Sequence, residues 1–311
     1  MKFVIRLNPL IIFVSLVVCI SIACGTSTTT NLSASNNSTN QQENKSSNTN
    51  NFTATPKPTN TPEPTNTPTA TPNPNLIPSG THLIGTEMRP GLYKGQEEGC
   101  YWERLKDLSG SFDAIIANGN ADGQFYVSIN ETDAAFTSSC SVLLLNPLPE
   151  PALEFPQVIT QGMYLVGIDI KPGIYFSKEE GCYWERLKDL SGDFNGIISN
   201  GNSYGQFYVK LKENDYAFSI SCEATLLETI EPLSTAYPES LNPGMYLIGR
   251  DIEPGRYKGN EEGCYWERLS DVTGGFDSII ANGNSDGQFY IQVSENDYGL
   301  STSCEVVKVN E

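Results

Sequence analysis

Apolar and polar positions alternate with period two along much of the chain. The cleanest run is Phe207, Val209 and Leu211 set against Tyr208, Lys210 and Lys212. Phe125, Val127 and Ile129, and then Phe289, Ile291 and Val293, repeat the apolar set, while the opposite side changes from Ser128 to Lys210 to Gln292. Such alternation predicts half-buried antiparallel strands. Met163–Ile170 is strand-like in composition, Lys171-Pro172-Gly173 reads as a type II turn, and Ile174-Tyr175-Phe176 restarts a strand. In Cys182–Leu187, alternation places Cys182, Trp184 and Arg186 on one side. Asn200-Gly201-Asn202 reads as a further turn, and the last strand is placed within Phe218–Leu226. No stretch carries a capped 3.6-residue apolar period. The expected class is all-β, built of small sandwiches or barrels.

The pattern occurs three times. Gly-Cys-Tyr-Trp-Glu-Arg-Leu stands at Gly99–Leu105, Gly181–Leu187 and Gly263–Leu269. The predicted modules are 77–145, 160–227 and 242–309. Their connectors of about 14 residues suit beads on a string or a packed rod. A domain of roughly 67 residues buries a modest core and often needs a staple. Each first cysteine is followed 40 residues later by a second. The simplest pairing is therefore Cys100–Cys140, Cys182–Cys222 and Cys264–Cys304, each module closing itself. A loop of that length stabilises by about 4 kcal/mol in the chain-entropy view.

Lys2 and Arg6 precede an apolar run, Leu10–Ile22, of signal-peptide length. Ser21-Ile22-Ala23-Cys24-Gly25 resembles the bacterial lipobox, although Ser21 stands where Leu is usual. Residues 1–23 then form a lipoprotein signal and Cys24 carries the lipid. A cleaved secretory signal and an uncleaved anchor are the alternatives. Residues 24–76, rich in Ser, Thr and Asn and then in Thr-Pro, read as a disordered linker. The prolines of its Thr-Pro part, Ala54–Pro74, favour an extended form, and that part alone would span about 60 Å.

The formal charge of −18 lies mostly in the repeats. It argues against nucleic acid as a partner. His82, the single histidine, matches Tyr164 and Tyr246, so it reads as a replaceable half-buried aromatic. Asn118–Gly123 resembles the start of an EF-hand loop, but Ile129 stands where the bidentate Glu belongs, which leaves a turn. The pairs Glu97-Glu98 and Glu179-Glu180 recur in a charged loop, and catalysis by them is not expected. No catalytic residue, metal site or cofactor is assigned. Arg104, Arg186 and Arg268 are expected to stack on tryptophan or pair with an Asp. Candidate binding residues are Trp102, Trp184 and Trp266, provided their rings reach solvent, with Tyr126, Tyr208 and Tyr290 on the outward side of the clean strand.

The combined pattern G-x-Y-x-V-G-x-D-I-x-P-G-x-Y, C-Y-W-E-R-L, I-I-x-N-G-N-x-x-G-Q and a closing S-C resembles a module of exported bacterial proteins. The resemblance covers all three copies. It implies secretion, often with a lipid or low-complexity tether, and supplies no activity or ligand residues. The expected function is a non-enzymatic surface lipoprotein, anchored in the bilayer on the extracytoplasmic side. Its repeats would bind envelope glycan or protein multivalently. A spacer without ligand is the alternative; a hydrolase would need a cleft assembled between modules.

Overall fold

The computed structural model describes residues 73–230 and 237–309. The predicted signal peptide, Cys24 and the linker up to residue 72 lie outside the described residues. The described residues belong to one compact unit. Its described part is all-β apart from four short 3-10 turns.

In the first repeat the strands are β1 (Leu76–Ile77), β2 (Gly80–Leu83), β3 (Gly91–Gly95), β4 (Glu98–Leu105), β5 (Ile115–Asp122), β6 (Phe125–Ile129), β7 (Ala135–Ser138) and β8 (Val142–Leu144). They pair antiparallel into two four-stranded sheets, β1-β8-β3-β6 and β2-β7-β4-β5. The second and third repeats reproduce both sheets. Inward side chains of the two sheets meet in one core per repeat, and in the first repeat Tyr93, Val127 and Leu144 face Trp102, Phe136 and Ala117. Each repeat is therefore a small β-sandwich.

The disulfides Cys100–Cys140, Cys182–Cys222 and Cys264–Cys304 all form, with Cα separations of 5.5, 5.6 and 5.5 Å. Tyr93, Tyr175 and Tyr257 bury their rings and donate to the carbonyls of Arg89, Lys171 and Glu253, four residues back. That bond fastens each Pro-Gly bend to the core and explains the spacing P-G-x-Y.

Several local expectations are corrected. The strand predicted over Met163–Ile170 ends at Leu165, because Gly167 adopts φ +79 and turns the chain. Pro172 stands in a bend and Gly173 already opens the next strand. Cys222 lies between the strands Ala217–Ile220 and Ala224–Leu226 rather than inside one. Asn200-Gly201-Asn202 is strand, not turn, as is Asn118–Asp122. The glycine serves the tryptophan there: a Cβ on Gly119 would lie 2.9 Å from Trp102 Nε1, and one on Gly201 3.0 Å from Trp184 Cε2.

The three sandwiches are not separate beads. Tyr126, Leu165, Leu187, Leu190 and Ala217 form an apolar cluster between the first and second. Phe176, Tyr208, Leu247 and Val272 do the same between the second and third.

Candidate binding clefts at the repeat junctions

Each junction joins unlike surfaces. The earlier repeat contributes the outer side of its clean strand, and the later repeat contributes the loop after its Trp-Glu-Arg strand. Ser128 N donates to Leu190 O at 2.9 Å, and Lys210 N to Val272 O at 2.9 Å. Gln124 Nε2 reaches Met163 O at 2.8 Å, and Gln206 Nε2 reaches Met245 O at 2.9 Å.

This arrangement decides the fate of the predicted aromatics. Tyr126 and Tyr208 are each 1% exposed, because the next repeat covers the strand face they occupy. Their hydroxyls donate to Asp169 and Asp251, both at 2.8 Å. Burial first, and then the carboxylate beside it, pushes each phenol well above its usual range or, for Tyr208, likewise with Asp251 as the neighbour. Tyr290 has no repeat beyond it and is 51% exposed. Trp102 and Trp184 are buried, and Trp266 is half-buried. Gly192 lies so close over Trp102 that a Cβ would come within 2.6 Å of the ring; Gly274 and Trp184 repeat this at 2.3 Å. Trp102, Trp184, Tyr126 and Tyr208 are thus junction residues, largely covered by the next repeat, and what surface they keep lines the clefts between repeats.

Arginine takes the structural role. Arg104 grips Asp133 through two bonds of 2.7 and 2.8 Å, and its third arm donates to Ser191 O of the next repeat at 2.6 Å. Arg186 does the same with Asp215 and Thr273 O. A bidentate guanidinium with a further donor is well suited to tie a core to a neighbour. Arg268 pairs with Asp297 at 2.7 and 2.8 Å.

What remains open is a cleft at each junction, of about 370 Å³ at the first and about 720 Å³ at the second. Asn118, Asn120 and Gln124 line the first from one repeat, with Tyr183, Glu185 and Phe194 from the next. Alternation puts Tyr183 and Glu185 on the side of their strand away from the disulfide. Tyr183 donates to Glu185 at 2.5 Å and accepts from Asn200 at 3.0 Å. The same Tyr–Glu–Asn set recurs as Tyr101, Glu103 and Asn118, and as Tyr265, Glu267 and Asn282. Burial, followed by the bond to Glu185, pushes Tyr183 up to about 12. Tyr265 is pushed to about 12 in the same way. The phenol therefore stays a donor at neutral pH and leaves the carboxylate as an acceptor facing the cleft.

The sequence reading missed the phenylalanines. Phe112, Phe194 and Phe276 are 92%, 82% and 94% exposed. Each opens a 3-10 turn; Ser111 caps the first by accepting from Asp113 N, and Asp193 the second by accepting from Asn195 N. The visible signal was an aromatic in a Gly-rich polar loop at the same place in every copy.

Other candidates have local tasks. His82 Nε2 lies 2.9 Å from Pro78 O, where Tyr164 and Tyr246 bond the carbonyls of Thr160 and Asn242. Glu97, Glu179 and Glu261 each accept a backbone N–H from the residue after the second cysteine. Among the described residues no group of three or more His, Cys, Asp or Glu side chains is placed to hold a metal.

The Rv1352-like extracellular domain matches residues 74–142, 156–224 and 238–306, one match per sandwich. No curated protein matches the chain.

Proposed function

We propose, from a chain that belongs to the Rv1352-like extracellular domain family, a non-enzymatic surface lipoprotein whose junction clefts bind cell-envelope glycan. Lipidation of Cys24 would hold it at the bilayer, outside the cytoplasm. The observation that carries the reading is an exposed phenylalanine in the same cleft as a fixed Tyr–Glu pair, with asparagines of the preceding repeat lining the other side, at both junctions. An exposed ring offers a face to the apolar side of a sugar, and a carboxylate with amides matches its hydroxyls. Two linked clefts multiply weak affinity by on the order of 100-fold or more when both are engaged. A protein of the envelope that presents similar groups is the variant of this reading.

The test is binding of the protein to purified envelope glycans and to whole cells, beside Phe194→Ala, Phe276→Ala and the double variant. Each single change should weaken binding, and the double change should abolish the avid component. Binding equal to wild type in the double variant excludes the clefts.

The burial of Tyr126 and Tyr208 favours a second reading, a spacer that only holds distance. It gains if no glycan and no cell binds while the fold is intact. For the anchor, a lipid precursor should label Cys24, and Cys24→Ala should be released to the medium.

A further inference from the structure

The two junctions are head-to-tail contacts, and the described part of the chain ends with one unused half at each side. The third repeat keeps the tail set: Tyr290 is 51% exposed, Trp266 and Arg268 are half-buried, and Gln288 is exposed. These match Tyr126, Trp102, Arg104 and Gln124 of the first junction. The first repeat keeps the head set. Leu83 and Leu108, which match Leu165 and Leu190, are 39% and 61% exposed. Gly110 has φ +70, beside +72 at Gly192 and +73 at Gly274, with open space above it where those two meet a tryptophan ring. Glu87 Oε2 accepts from Leu83 N at 2.9 Å, as Asp169 and Asp251 accept from Leu165 and Leu247 N. The half-cleft of the later repeat is also reproduced, about 300 Å³ lined by Glu103, Leu108, Phe112 and Thr137.

We propose that the occupant of each free surface is a second copy of this chain, docked with its first repeat on the third repeat of its neighbour. Trp266 then lies under Gly110, Arg268 donates to Ser109 O, and Tyr290 donates to Glu87. The contact continues an interface the chain already builds twice. Repeat proteins ordinarily close their ends with polar caps, and here the ends retain the apolar and ring groups of the junction. A few apolar positions have become polar: Arg256 stands where Leu92 and Ile174 do on the tail side, and on the head side Thr81 stands where Met163 and Met245 do and Thr86 where Ile168 does. A head-to-tail contact between unlike surfaces leaves a free surface at each end, so the product grows into a chain of molecules, or a ring where the repeated step closes. The acidic charge opposes it at low salt, and screening favours it.

The experiment is sedimentation of the full chain in mild detergent over a range of concentration and salt. It is run beside the head variant Leu108→Glu, the tail variant Tyr290→Glu and their equimolar mixture. Wild type should pass from one chain to two and more, and further at higher salt. Each variant alone should associate at least about tenfold more weakly, about 1.4 kcal/mol. The mixture should stop at dimers, since each variant retains one good surface. Three results overturn the proposal: a wild type that stays single at every concentration, variants that associate as wild type does, or a mixture that dimerises no better than either variant alone.

Discussion

Gly192 shows how much one hydrogen atom decides. It has φ +72 and faces Trp102 so closely that any Cβ collides with the ring. Gly192→Ala should destabilise the first junction by about 1–3 kcal/mol, from backbone strain and overpacking together; denaturation followed by tryptophan fluorescence reads this. Gly110→Ala has the same strain but no ring above it, so it should cost less. Arg186→Met leaves Asp215 buried without its partner and should cost about 3–5 kcal/mol. Protons act on the same pairs. Burial tends to raise the Asp297 carboxyl, but the bonds from Arg268 and Ser294 N outweigh it and hold it below its ordinary 3.8. Its folded value thus lies under its unfolded value. The stabilisation is complete above pH about 4 and is lost as pH falls through the folded value. Tyr183 and Tyr265, raised to about 12, set the opposite limit. Their contribution is complete below pH 10 and fades as pH rises towards 12. Acid and alkaline unfolding curves should show both edges.

Within one sandwich the strands were largely legible from alternation, because each has one side on a core. Phe207, Val209 and Leu211 point inward as read. The cysteine spacing pointed to the pairing because repetition removed the alternatives. The glycine of Asn-Gly-Asn was misread, since its local preference is for turns while the tryptophan across the sheet requires a missing side chain. Tyr126 was misread for a related reason. Alternation tells that a residue leaves its own core, and says nothing of a second surface arriving from elsewhere. The clue was available: beside it the outward position runs Ser128, Lys210, Gln292, while tyrosine is kept in all three copies. Replacing Cys182 and Cys222 by Ala should cost about 4 kcal/mol, seen as a lower denaturation midpoint, with the neighbouring sandwiches retaining their own bridges.

The connected unit should be more stable than its parts. An isolated second repeat, Thr160–Glu228, would expose Tyr208 on one side and Leu187 and Leu190 on the other. It should therefore unfold at lower denaturant than the same repeat within the chain. Nearest-neighbour coupling of this kind predicts one shared transition for the connected repeats, and its splitting when Gly192 or Gly274 is filled. The 82-residue period has an outcome for heredity as well. Plug and socket are written into the same segment, the tyrosine strand of a repeat following its own glycine loop. An in-frame duplication or loss of one period therefore lengthens or shortens the protein with every remaining joint already matched, and the number of clefts changes by one without any new interface having to evolve.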